Sequence, residues 1–155
     1  YEAVRRDPAS YPLERLIEAA ERASRRDAGE IPELTRLLAD GDPAARWWGA
    51  TGLGALGPGA APAREALRKA LEDPAPWVRV AAADALAAQG APDEALGVLE
   101  RALEDSNEWV RLHAAEALDR MGEKARPALG ALRRAAKGSN EYVRRVVEHA
   151  LGVLR

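Results

Sequence analysis

A skeleton of Asp, Arg six residues later, Leu seven after that and Gly four further on returns along this chain. Its copies are Asp40, Arg46, Leu53, Gly57; Asp73, Arg79, Leu86, Gly90; Asp105, Arg111, Leu118, Gly122; and Gly138, Arg144, Leu151, Arg155. The step is 33, 32 and 33 residues. A period of that size is the mark of a solenoid of stacked helical hairpins, in which each unit buries its apolar face only against its neighbours.

Composition chooses the class of unit. There are 35 alanines against two Ile, nine Val and two Thr, so helix formers far outnumber the β-branched residues that strands prefer. The fold class expected is all-α, with about nine helices. At 155 residues an array can bury a continuous core that no single hairpin could. Charged residues make up 31% with a net of −2, a soluble globular balance that gives no global case for nucleic acid. The balance is uneven: residues 123 to 155 hold eight Lys/Arg against three Asp/Glu, on an otherwise acidic body. With no cysteine, disulfides and thiolate chemistry are excluded. No apolar run approaches the roughly 18 residues of a membrane span, and no signal peptide opens the chain. The first residue is Tyr and the only Met is Met121, which suggests a piece of a longer protein.

Residues 1–9 carry charge and Pro8 with no apolar period, and read as a tail or linker stub. The domain expected is 10–155. Its first element is a cap helix over 10–26, with Ser10 as N-cap, Leu13, Leu16, Ile17, Ala20 and Ala23 as one narrow stripe, and a polar back. Four repeats follow at about 30–57, 60–90, 91–122 and 125–155. First helices are expected near 31–39, 62–72, 92–104 and 126–137, each with a proline at or near its start: Pro32, Pro62, Pro92 and Pro127. Second helices are expected near 43–56, 75–89, 107–121 and 140–154, with N-cap signatures at Asp42, Asp73 and Asp105, the last with Glu108 in capping-box form.

Core columns follow from the register. They are Leu34, Leu67, Leu99, Leu132; Leu38, Leu71, Leu103, Ala136; Ala45, Val78, Val110, Val143; and Leu53, Leu86, Leu118, Leu151. Small residues stand between the last two, at Gly49, Ala82 and Ala114 before Val147, and let hairpins approach. Gly49, Gly52 and Gly54 share one helix at a cost of about 1 kcal/mol each relative to Ala, an oddity ascribed to making room for Trp47 and Trp48. Two columns change character in the last copy: Trp47, Val80, Leu112 become Arg145, and Ala50, Ala83, Ala115 become Glu148. An Arg145 and Glu148 charged pair there places the end of the array near Arg155.

These residues carry a resemblance. The Asp and Arg six apart, the leading proline and the Val-Arg-x-x-Ala-Ala-x-Ala-Leu core over about residues 30 to 155 resemble HEAT repeats, in the bacterial form known from phycobilisome lyases. The resemblance implies a right-handed α-α superhelix. It also implies second helices lining a concave surface, an Asp/Arg ladder tying repeats together, and a binding-scaffold role. The stretch from Tyr11 to Glu21 ahead of such repeats is similar to C-terminal extensions of some bacterial sulfatases, whose nucleophile motif, Cys or Ser followed by x-Pro-x-Arg, is absent here.

Asp40, Asp73, Asp105, Arg46, Arg79, Arg111 and Arg144 form the expected structural ladder, since regular recurrence favours architecture over a charged binding track. Gly138 stands where a fourth Asp would, which suggests that each Arg reaches back to the preceding unit: Arg144 to Asp105, Arg111 to Asp73, Arg79 to Asp40. Trp77, Trp109 and Tyr142, with Ala44 in the first copy, and Trp47 are the candidates for a partner-binding face; the competing reading has each ring covering its inter-helix turn. His113 reads as a hydrogen-bonded core histidine rather than one of a metal pair with Glu116. Arg133, Arg134, Lys137 and Arg145, with Arg126 and Arg144, form a basic end that could meet phosphates, but the acidic middle repeats disfavour a duplex along the groove. No catalytic constellation, phosphate loop or metal-type carboxylate cluster is found, and no cofactor is implied. The function expected is a non-catalytic scaffold or accessory domain for a protein partner or parent-enzyme domain; the alternative is a nucleic-acid-binding module.

Overall fold

The computed structural model describes residues 12–138 and 140–154. Nine α-helices run through them: α1 Leu13–Arg25, α2 Ile31–Leu37, α3 Pro43–Ala55, α4 Arg64–Ala70, α5 Pro76–Ala88, α6 Pro92–Ala102, α7 Glu108–Met121, α8 Leu129–Gly138 and α9 Glu141–Val153. No strand occurs among the described residues. The all-α expectation holds, and the second helices α3, α5, α7 and α9 lie within one or two residues of the ranges the period assigned. The expected Ser10 cap and the tail lie outside the described residues.

The helix starts show why the turn residues are there. Asp42 accepts the Ala44 N–H at 2.8 Å, and Asn107 accepts the Trp109 N–H at 2.9 Å. Asn140 accepts the Val143 N–H at 3.0 Å. Asp73 and Asp105 are not N-caps as expected. Each sits two residues before the cap and accepts the N–H of Ala75 or Asn107 at 2.8 Å, as Asp40 does from Asp42. The recurring Asp therefore folds the turn, and the cap position lies two residues on, where Asp42 and Asn107 cap with their side chains and Ala75 does not. Glu108 makes no capping box; its carboxylate accepts Asn140 Nδ2 from the next repeat at 2.6 Å. Second helices end where Gly57, Gly90 and Gly122 take φ of 53°, 85° and 56°, a conformation that costs a side-chain-bearing residue more than glycine.

Two first helices begin later than expected. Pro62 and Pro127 lie inside tight 3₁₀ stretches, Gly57–Ala63 and Gly122–Ala128, that lead into α4 and α8. Proline has no N–H to place in an α ladder, so the chain tightens until it has passed.

The core runs the length of the stack as two clusters, one from α1 to α5 and one from α5 to α9, with half-buried Leu71 packed against both. Leu34, Leu67, Leu99 and Leu132 are buried, as are Leu53, Leu86, Leu118 and the Ala45, Val78, Val110, Val143 column. Each such leucine contributes about 1.5–3 kcal/mol relative to exposure. Ala50, Ala83 and Ala115 are fully covered, whereas Glu148 in their column and Arg145 in the column of Trp47, Val80 and Leu112 are exposed. The ion pair that Glu148 makes is with Arg144, at 3.8 Å, rather than with Arg145.

The glycines of α3 serve close helix approach, not the tryptophans. A Cβ at Gly49 would stand 2.7 Å from the Leu34 carbonyl oxygen, and one at Gly52 would stand 2.7 Å from Leu34 Cδ2 and 2.9 Å from Ala23 Cα. At Gly54 it would meet Ala85 Cα at 3.2 Å. Helix α3 is thus pressed against α1 and α2 on one side and α5 on the other. On α1 the buried side is Leu16, Ala19 and Ala23, while Leu13 and Ile17 face outward.

Candidate functional site

The Asp/Arg pairs do two jobs, and neither is the back-reaching ladder expected. Within a repeat, Arg46 Nη1 donates to the carbonyls of Asp40 (2.9 Å) and Gly41 (3.2 Å). Arg79 does the same to Asp73 (2.8 Å) and Pro74 (3.2 Å), and Arg111 to Asp105 (2.7 Å) and Ser106 (3.0 Å). An arginine about one turn into the second helix thereby satisfies the carbonyls that the tight turn leaves without partners.

Between repeats the reach is forward. Arg46 Nε and Nη2 donate to Asp73 Oδ2 and Oδ1 at 2.6 and 3.0 Å, a two-pronged pair with both side chains largely buried. Burial pushes the Asp73 carboxyl up, but the Arg46 guanidinium and the Ala75 N–H outweigh it and hold the group below the usual carboxylate range. Arg79 and Asp105 share a small crevice with Arg101. Asp40 is not stranded by this direction, because Arg15 of α1 reaches it at 3.3 Å. The cap helix supplies the arginine that a preceding repeat would have given. Its position outside the period hid it from sequence reasoning. Arg144 pairs with Glu148 and makes no pair with Asp105 among the described residues.

A second set of inter-repeat ties went unread in the sequence. Arg68 forks onto Glu94 across the exposed first-helix face, with Nη2 to Oε1 at 2.9 Å, and Arg134 donates to Glu104 at 2.9 and 3.0 Å. Within their own repeats, Arg64 and Arg126 each donate to a carbonyl that ends the second helix, that of Gln89 (3.0 Å) and Leu154 (3.2 Å). Glu30 is held well below the usual range by Arg22 and Arg25 at the cap, and Glu94 by Arg68. Their irregular spacing, unlike the fixed six of the Asp/Arg pairs, left no pattern to find.

The second helices α3, α5 and α7 enclose a groove of about 540 Å³. Its floor is mostly alanine and glycine, with Trp47 and Val80 at one margin and the Asp84–Arg120 ion pair (2.8 Å) across it. His113 lines this groove and makes no hydrogen bond among the described residues, so it is not the hydrogen-bonded core histidine expected. His149 Nδ1 instead meets Asp119 Oδ1 at 2.7 Å.

The aromatic candidates divide. Trp47 packs edge-on against Trp48 with ring centroids 4.6 Å apart, and joins Ala44, Trp77 and His113 around a shallow recess at the groove margin. Trp109 and Tyr142 continue the row but are not brought into that recess. The row is open to solvent: Trp77 is 40% exposed, Trp109 65% and Tyr142 71%. Rings that served only to cover their turns would show far less surface. Of the basic residues, Arg133 and Lys137 on α8 and Arg145 on α9 are exposed, whereas Arg134 is tied to Glu104 and Arg126 to Glu123. No group of three His, Cys, Asp or Glu side chains arranged for a metal occurs among the described residues. No described helix is long and apolar enough to cross a membrane.

Comparison with known proteins agrees with this architecture. Residues 64–152 match the family described as HEAT repeats. A designed armadillo repeat protein in complex with the peptide (KR)4 superposes with a TM-score of 0.64 at 22% identity, covering 82% of this chain and 65% of that one. An engineered protein does so equally, with a TM-score of 0.64 at 22% identity and coverage of 81% and 62%. The chain therefore spans somewhat less than two thirds of those structures. No curated protein matches it.

Proposed function

The chain belongs to the HEAT repeat family, and on that footing we propose that it is a non-catalytic scaffold whose second-helix face holds an extended segment of a protein partner. The observation that carries this reading is the open row of Trp77, Trp109 and Tyr142 beside the groove of α3, α5 and α7. Large aromatics left in water at the same position of successive repeats lower stability and solubility unless something binds them, and aromatic side chains dominate the energetics of interfaces. The repeat spacing gives such a row the reach of an extended chain rather than of a compact ligand. The designed armadillo neighbour holds a peptide, which supports the idea that a solenoid of this fold can do so.

A finer reading is that the partner is another domain of the same polypeptide, as in an accessory region of a bacterial enzyme such as a sulfatase. It is supported by the similarity of residues 11–21 to sulfatase extensions, and the coding sequence on either side tests it. The general reading is tested by selecting binders from a random peptide library. Selected peptides should lose affinity for a Trp77→Ala, Trp109→Ala double variant that remains helical. Peptides that bind both forms equally would rule out the aromatic row as the contact.

A further inference from the structure

Within the groove, one carboxylate stands outside the ion pairs among the described residues. Asp84 is paired with Arg120, and Asp119 with His149. Glu116, half-buried on the groove wall, makes no hydrogen bond or ion pair among the described residues. It stands one turn after His113 on α7, so the two side chains share a face. His113 in turn closes the recess formed with Trp47, Trp77 and Ala44. The edge-on contact with Trp48 fixes the Trp47 ring, so the recess exists before anything enters it.

Resting on the proposed peptide-binding groove, we infer that this recess is an arginine subsite, in which an arginine of the partner lays its stem on Trp47 and Trp77 and pairs its guanidinium with Glu116. An apolar side chain would fill the aromatic part but would dry a carboxylate without compensating it, which costs more than the contact returns. An acidic one would meet Glu116 with like charge. Lysine brings the right charge, but its compact, strongly hydrated ammonium neither stacks on an indole nor forks onto a carboxylate. Lys124, a groove cation that makes no ion pair among the described residues, is exposed and lies past the end of α7.

The test uses fluorescein-labelled peptides that alternate glycine with arginine, lysine or glutamate, with affinity read by anisotropy against the full chain. The arginine peptide should bind at least about fivefold tighter than the lysine peptide, a difference near 1 kcal/mol, and the glutamate peptide should not bind. Glu116→Gln and Trp77→Ala, each with unchanged circular dichroism, should weaken the arginine peptide at least about fivefold. Glu104→Gln, in the exposed turn after α6, should leave it unchanged and so exclude binding by net charge. Equal affinity of wild type and Glu116→Gln for the arginine peptide overturns the subsite. If library-selected peptides bind through Trp77 and Trp109 while the arginine peptide does not, the groove stands and the arginine subsite falls. If no peptide depends on those tryptophans, both fall.

Discussion

Arg46 and Asp73 form a two-pronged bond between adjacent repeats with both side chains largely buried, with donor–acceptor distances of 2.6 and 3.0 Å. The same aspartate also takes the Ala75 N–H, so a single carboxylate fixes a turn and joins two hairpins. Asp105 occupies the equivalent turn and accepts the Asn107 N–H, but among the described residues no arginine pairs with its carboxylate. Nominally identical positions thus carry unequal loads.

Removing the two aspartates should show that inequality. Asp73→Ala should lower the unfolding free energy by about 2–3 kcal/mol, since it strips a largely buried guanidinium of its partner and an N–H of its acceptor. Asp105→Ala, which gives up only a solvent-exposed turn bond, should cost about 1 kcal/mol or less. Urea denaturation of both variants measures the difference, and equal losses would mean that the Arg46 bond contributes nothing.

Acid should erase the difference between wild type and Asp73→Asn. The folded-state carboxyl is depressed, so it binds its proton later than in the unfolded chain. Its contribution is complete above the unfolded value of about 3.9 and is lost as pH falls through the lower folded value. The stability gap should therefore be flat from neutral pH to about pH 5 and shrink below about pH 4, as measured by chemical denaturation at a series of pH values.

Two glycine-to-alanine exchanges should have opposite signs. Gly52→Ala brings a methyl to 2.7 Å from Leu34 Cδ2 and 2.9 Å from the Ala23 backbone, so overpacking of about 1–3 kcal/mol should exceed the propensity gain. Gly97→Ala, inside α6, meets only the tip of Arg101 at 3.6 Å and should stabilise by about 0.5–1 kcal/mol. Thermal melts of the pair test both claims.

The basic end should not make a nucleic-acid site. Arg134 is committed to Glu104 and Arg126 to Glu123, which leaves Arg133, Lys137 and Arg145 spread over two helices. Duplex and single-stranded oligonucleotides should bind more weakly than about 1 μM at physiological salt. Sub-micromolar binding abolished by Arg133→Glu with Arg134→Glu would contradict this.

The solenoid and its leucine columns were legible because repetition supplies its own alignment: Leu34, Leu67, Leu99 and Leu132 identify one another. The ladder's direction was misread for the same reason. The missing Asp at Gly138 pointed backward, whereas Arg15, which belongs to no repeat, occupies the forward-reaching place before Asp40. The crowding at Gly49, Gly52 and Gly54 comes from helix neighbours 15 to 31 residues away, not from Trp47 and Trp48 beside them in the sequence. The groove was only half visible. The aromatic row recurs with the period, but the joining of Trp47 with His113, two repeats apart, depends on how sharply the stack bends.

The column Gly49, Ala82, Ala114, Val147 grows in bulk from the first repeat to the last, and every member is buried. At Gly49 the Leu34 carbonyl leaves no space for even one methyl, while at Val147 a branched side chain is fully enclosed. The hairpins are therefore not interchangeable parts, for all their shared skeleton. Copying the first unit into the fourth place would open a void the size of an isopropyl group, and the reverse exchange would force two helices apart. A lineage carrying this array could not lengthen or reorder it by simple duplication; each new unit would have to be refitted at this one position before it could stack.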